Sequence, residues 1–356
     1  MWVTCAVIRL AKVLRMRALG WTLAVAGLVL AGCGGGGDPG QDGGLRQVMA
    51  RLDASGPAAE YLEYGDMAHW RSLGVVTEKG PGQDRRWRVA VTAGFGDFGV
   101  NGTRIAESTG LNVFAADQGA VFGVPPKSAI RVEGNLDSGD IRGKLTALGA
   151  KPREIGGQEG LSFDEDNKIN LSGPQTKLGL INQFNQVVVT DSALVAGAAA
   201  GPVAAALGDG PSLADSPDHA AVADCLGDVV SAIVMAPAQP GGVTLYGVGL
   251  RRPAGTADKA VNVVCVLPRI AGVGKTFKDR FTTTAKLGGK PLGDLVEAVA
   301  HDDVKSGERT VHRAVMTVKP DGPVMLANQF LVRGELAALA DPAAPANPLD
   351  LVKPTS

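Results

Sequence analysis

Four histidines are the natural place to look for chemistry in this 356-residue chain. His301-Asp302-Asp303 sets an imidazole beside two carboxylates, a combination suited to general acid/base work or to part of a metal site. His219, Asp224 and Cys225 offer a second set of ligand types. Neither set, with His69 and His312 added, contains the paired histidines of a helical zinc motif. His301 follows "LVEAVA" at an expected helix end, where a cationic side chain is favourable, and His312 falls within a strand pattern. "DEDNKIN" lines up Asp164, Glu165, Asp166 and Asn167 as oxygen ligands for calcium. Lys168 occupies the fifth place and no glycine follows at the sixth, so a solvated acidic turn is the better reading. "RIAGVGKT" carries the Lys275-Thr276 pair of a phosphate loop, but Arg269 stands where its first glycine is required. Neither a Gly-x-Ser-x-Gly elbow nor a Ser-x-x-Lys pair is present. No catalytic, cofactor-binding or metal-ligating residue is therefore assigned, and no cofactor is expected.

The cysteines are more informative. Arg9, Lys12, Arg15 and Arg17 precede the acid-free run "ALGWTLAVAGLVLAG", the order of a secretory signal and too short for the ~20 apolar residues of a spanning helix. Leu30-Ala31-Gly32-Cys33 closes that run with small residues before a cysteine and resembles the bacterial lipobox. The resemblance implies removal of residues 1–32 and attachment of a diacylglycerol to the Cys33 thiol, with the protein held at the extracytoplasmic face of the membrane by acyl chains. A second possible start, Met16, would leave a complete signal. Gly34–Gly37 and "DPGQDGG" make residues 33–44 a flexible tether. With Cys5 removed and Cys33 lipidated, Cys225 and Cys265 remain, and two thiols in an oxidising compartment are expected to pair.

Charge narrows the partners. The chain has 35 basic and 36 acidic residues; losing four basic residues with the signal leaves 31 against 36, a body near −5. That disfavours nucleic acid and offers no second electrostatic hold on anionic lipid. Aromatic residues are 4% of the chain, too few for a base-stacking platform.

The elements that must position these residues follow from periodicity. "LRQVMARL" is helical in spacing, "AEYLEYGD" alternates like a strand, and "MAHWRSLG" is a short helix capped by Asp66 and closed by Gly74. Residues 75–128, including "RWRVAVTAGFGDFGV", read as short extended pieces broken by Gly and Pro. "SAIRVEGNLDSGDIRGKLTALGA" is a strand and then a helix capped by Asp137 or Ser138. "GLSF" and "NQVVVTDSALVAG" are strands, and "AAGPVAAALGDG" is a short helix. "DSPDHAAVADCLGDVV" is a helix with Pro217 in its first turn and Cys225 facing inward. Strands follow at "SAIVMAP", "VTLYGVGLRR" and "VNVVCVLP", then a helix at "FKDRFTTTAKLGG". "RTVHRAVMTV" and "PVMLANQFLV" are expected to form a last strand pair.

This pattern predicts an α+β fold, mainly antiparallel sheet with a few packed helices. The strand-then-helix order at 129–149 recurs loosely at 261–287 and suggests two similar halves, 45–210 and 211–338. A Pro/Ala-rich tail, 339–356, expected to be disordered, follows. The body, chiefly through "YLEYGD" and "CLGDVV", resembles lipoproteins of actinobacteria, a resemblance that brings no established activity. The leading expectation is a lipid-anchored, non-catalytic binding or envelope-structural module, its partner an envelope protein. The alternatives are an envelope hydrolase using His301, Asp302 or Asp303, and a carrier of an apolar ligand. A deep apolar cavity, converging histidines and carboxylates, or a flat surface would separate these readings.

Overall fold

Alternating hydrophobic strands dominate the architecture. The computed structural model describes residues 44–208 and 210–344. Residues 1–43, with Cys33 and the tether up to Gly43, and residues 345–356 of the expected tail lie outside the described residues. α1 (Gly44–Met49), β1 (Tyr61–Asp66), α2 (Met67–Ser72) and the small hairpin β2 (Val76–Thr77) and β3 (Gly80–Pro81) come first. α3 (Arg88–Val91), α4 (Gly96–Val100) and α5 (Gly102–Thr109) lead to β4 (Gln118–Phe122) and β5 (Ala129–Glu133). α6 (Ser138–Ala147), β6 (Lys151–Ile155), β7 (Gln158–Ser162), α7 (Pro174–Lys177), β8 (Gln186–Val189), β9 (Ala193–Gly197) and α8 (Ala200–Ala204) complete the first half.

The second half opens on α9 (Pro217–Leu226), followed by β10 (Val229–Met235), β11 (Val243–Arg251) and β12 (Val261–Pro268). α10 (Val273–Arg280), the hairpin β13 (Lys286–Leu287) and β14 (Lys290–Pro291), β15 (Val296–Ser306) and β16 (Arg309–Val318) come next. α11 (Leu326–Val332) and α12 (Glu335–Ala340) are the last described elements.

Twelve strands form one antiparallel sheet in the order β15-β16-β12-β11-β10-β1-β4-β5-β9-β8-β7-β6. The fold is α+β, and its element order repeats. A helix (α1 or α9) precedes a three-strand meander (β1-β4-β5 or β10-β11-β12). A second helix (α6 or α10) follows, and the last strand of each half (β9 or β16) returns beside the third strand of its meander. The repeated strand-then-helix units are β5-α6 and β12-α10. β1 and β10 pair antiparallel from Tyr61 opposite Met235 to Gly65 opposite Ser231, so the sheet crosses between the halves without a break.

The pleat sends alternate side chains to opposite faces. On one face Leu62, Tyr64, Ala232 and Val234 pack with Leu45 and Val48 of α1 and Val222 and Cys225 of α9. On the other, Ile130, Val132, Val264 and Val266 pack with Ile141 of α6, Phe277 of α10 and Phe330 of α11. Sheet helices therefore cover both faces, and the equivalent helices of the two halves lie on the same face.

Several sequence expectations are corrected. "RWRVAVTAGFGDFGV" is not extended: Trp87, Ala90, Val91 and Phe98 bury one side of short helices. Gly94 and Gly96, both at positive φ, break the stretch into turns. "LVEAVA" is not a helix but the start of the edge strand β15, whose pairing with β16 overrides its helical composition. "PVMLANQFLV" is not the partner strand of β16; it contains α11. Buried Asn262 sets its start, accepting from the Ala327 N–H at 2.9 Å and donating to the Val324 carbonyl at 2.8 Å. The "KPREI" strand β6, closed on β7 through Gly156-Gly157, is an addition to the expected set.

Candidate functional site

The clusters singled out for chemistry do not converge. His301, Asp302 and Asp303 lie on β15, where neighbours in sequence point to opposite faces. The His301 ring stands edge-on to Phe277 and Phe281 at 5.4 and 6.3 Å, and its Nε2 donates to the Phe281 carbonyl at 2.8 Å. Asp302 accepts from Arg313 Nε at 2.8 Å, and that arginine also donates to the Cys225 carbonyl under α9. Asp303 meets His312 Nδ1 at 2.8 Å and Lys278 Nζ at 3.1 Å on the α10 side. The hydrogen bonds from Arg313 and from His312 are the leading reasons that the two carboxyls sit below the ordinary carboxylate range. Both are thus held as paired anions, and their place is mid-strand, not a helix end.

The second set is divided as well. His219 donates from Nε2 to the Ala59 carbonyl at 3.2 Å while Ser216 Oγ lies 3.0 Å from Nδ1. Asp224 pairs with Arg46 at 2.7 Å. Cys225 is bonded to Cys265 across a Cα separation of 6.1 Å, the expected disulfide. Among the described residues no group of three or more His, Cys, Asp and Glu side chains is placed to hold a metal ion. In the acidic turn, Asp164 is taken up by Lys168 at 2.7 Å and Asn170 at 3.1 Å, and Asp166 by Arg153 at 2.8 Å. Lys275-Thr276 lies in α10, where Lys275 pairs with Asp279. Gly274 there is a packing glycine: a Cβ would stand 2.2 Å from the His312 ring.

What the sheet leaves open is an apolar cleft. Its floor is one end of four adjacent strands, reached at Tyr61, Val121, Ile130 and Ala196. One wall is α4 with Phe95 and Phe98; the rim is the β4–β5 turn at Val124–Pro126 and the loops carrying Ile169 and Ile181. The Pro125–Pro126 bond in that turn is cis. The cleft holds about 850 Å³, within the roughly 300–1,000 Å³ of small-molecule sites. Val124, Ile169 and Ile181 are 53%, 62% and 49% exposed, so apolar surface is offered to solvent at its mouth. Asp97 is the one carboxylate in the lining, and it accepts from Gln183 at 2.6 Å.

Sequence reasoning passed over these residues. Ile169 and Ile181 are isolated apolar side chains in polar loops, a weak signal because single exposed hydrophobics are common. Only the fold shows that they face one cavity. Among the described residues no helix is long and apolar enough to cross a membrane. Comparison with known family models, curated proteins and solved structures finds no match to this chain.

Proposed function

We propose that this is a lipid-anchored extracytoplasmic protein whose body is a non-catalytic binding module, and that the apolar cleft takes an apolar chain-like ligand. The observation that carries the reading is the cleft itself. A pleated floor of small and branched side chains is left without a helix over it, and the exposed Val124, Ile169 and Ile181 crowd its mouth. Burying a ligand there removes apolar surface on both partners from water, at about 25 cal/mol per Å². The carrier reading thus becomes the specific form of the binding-module reading. The hydrolase alternative has less support, because its three residues are spread over both faces of β15 and engaged in separate pairs.

Address and cleft are tested separately. In a bacterial host that processes lipoproteins, wild-type chain should partition with membranes and incorporate labelled acyl chains at Cys33, and Cys33→Ala should lose the label. For the cleft, a fluorescent fatty-acyl probe is titrated against the full chain and against Ile169→Glu/Ile181→Glu. A charged mouth should weaken binding roughly tenfold or more, since each substitution sets a carboxylate where apolar contact is needed. Unchanged probe binding would remove the cleft from consideration without touching the lipidation result.

A further inference from the structure

A second groove differs in kind from the apolar cleft and stands independently of it. It lies between α3 and the segment that runs from the end of β16 through α11, and it encloses about 860 Å³. Its apolar edges, Val89 and Val332, are 61% and 81% exposed. Arg85, Arg86 and Arg333 line it, and no Asp or Glu does. Arg46, Arg131, Arg252 and Arg313, by contrast, are each paired with a carboxylate. Among the described residues none of the three groove arginines forms an ion pair. Arg86 is already oriented: its guanidinium lies 4.8 Å from the centre of the Trp87 ring and Nη1 reaches the Thr256 carbonyl at 3.4 Å.

We propose that this groove binds one anionic phospholipid, its phosphate on Arg85, Arg86 and Arg333 and an acyl chain along Val89, Met325 and Val332. Charge complementarity selects the headgroup. A guanidinium fork matches phosphate oxygens in a bidentate manner, and three forks without an internal counter-ion leave that demand unmet. The exposed valines select a ligand with a chain over free phosphate, because an anion alone would leave them in water. A nucleotide is a poorer fit: the Trp87 ring is buried and covered by Arg86, so the groove has no face on which a base could stack. The enclosed volume suits one molecule, and a body near −5 supplies no long-range pull towards an anionic surface, so recognition is local.

The test uses the full chain carrying Ile169→Glu/Ile181→Glu, which removes the apolar cleft as a competing acyl site, extracted in nonionic detergent, and native mass spectrometry; this protein is the wild-type reference for the variants that follow. Lysophosphatidylglycerol is titrated beside an uncharged monoacylglycerol of equal chain length and inorganic phosphate. The expected result is one lysophosphatidylglycerol per chain, with the uncharged analogue bound at least tenfold more weakly. Arg85→Gln/Arg333→Gln should weaken the charged lipid at least tenfold, the scale of losing charge-assisted hydrogen bonds. Val332→Asp should do so through the chain. Lys151→Gln/Lys305→Gln, which removes the same charge from exposed sites elsewhere, should leave affinity within twofold. Equal binding by wild type and the arginine variant, or equal loss in the lysine variant, would overturn the proposal. So would inorganic phosphate binding as tightly as the lipid. All substituted side chains are exposed, and thermal midpoints matching wild type establish that each variant is folded.

Discussion

His219 is biased towards the neutral ring by its burial. It is buried at the start of α9, its Nε2 hydrogen spent on the Ala59 carbonyl. Burial holds its pKa below the ordinary histidine value of 6.5, and the half-buried His69 is lowered by the same cause with Arg252 adding to it. The unfolded chain therefore binds these protons at a higher pH than the native protein does, and stability rises with pH where that difference exists. The contribution is complete above about 6.5 and is lost as pH falls through that value towards the lowered native pKa. Asp302 and Asp303, held below their ordinary 3.8, do not enter this window. Urea midpoints should be flat from pH 8 to 7 and fall between about 6.5 and 5, with a shallower fall in His219→Gln. Identical slopes in wild type and variant would refute this account. At this scale the sequence was only partly legible. The Cys225–Cys265 pair followed from counting thiols, whereas His301 beside Asp302 looked like one cluster because adjacency along a chain says nothing of the pleat that parts them.

Helix α9 shows how a single element depends on what the sheet omits. It lies over β11 and β12, where Gly247 sits opposite Cys265 in register. A Cβ on Gly247 would come within 2.5 Å of Val222 Cγ1 and 3.3 Å of Leu226 Cδ1, so the glycine lets the helix approach. The disulfide then fixes that approach across a sequence separation of 40 residues. Gly247→Val should lift the helix and cost about 1–3 kcal/mol in urea unfolding, with part of the loss recovered in the double variant carrying Val222→Ala. Reducing the disulfide should cost about 2–5 kcal/mol, a loop of this length lying near 4 in the chain-entropy account. A Gly247→Val protein as stable as wild type would show that the close approach of α9 at Gly247 is not needed. The helix was legible because Pro217 and the inward spacing of Val222 and Cys225 agree with its packing. β15 and α11 were not. The first is an edge strand with one partner and mostly polar side chains, and the second owes its start to Asn262, some 62 residues upstream of its Val324 partner. Long-range pairing decided both.

Across the whole molecule the sheet joins two halves of similar element order, and net charge conceals local chemistry. A net charge of −1 argues against an electrostatic hold on lipid, yet Arg85, Arg86 and Arg333 gather at one groove from opposite ends of the sequence; composition averages such a patch away. The β1–β10 ladder bears on stability in the same global sense. It pairs five residues of each strand at the centre of the sheet, with α1 and α9 packed beside one another on one face. Exposing either half alone would uncover both the strand edge and the apolar face beneath these helices, which is costly for buried backbone and side chains alike. The halves should therefore unfold together. In protein lacking residues 1–32, and with them Trp2 and Trp21, Trp70 and Trp87, both buried in the first half, report on that half by fluorescence, while far-ultraviolet circular dichroism reports on both. With the disulfide intact, the two urea transitions should superimpose with one midpoint, as two-state unfolding requires. A fluorescence transition that precedes the dichroism change would mean that the first half opens alone and that the ladder joining β1 to β10 couples the halves only weakly. Substituting Tyr64→Pro, in the middle of the central ladder, removes a backbone donor from β1. It should lower the common midpoint for both probes together, since damage at the seam of a continuous sheet belongs to neither half.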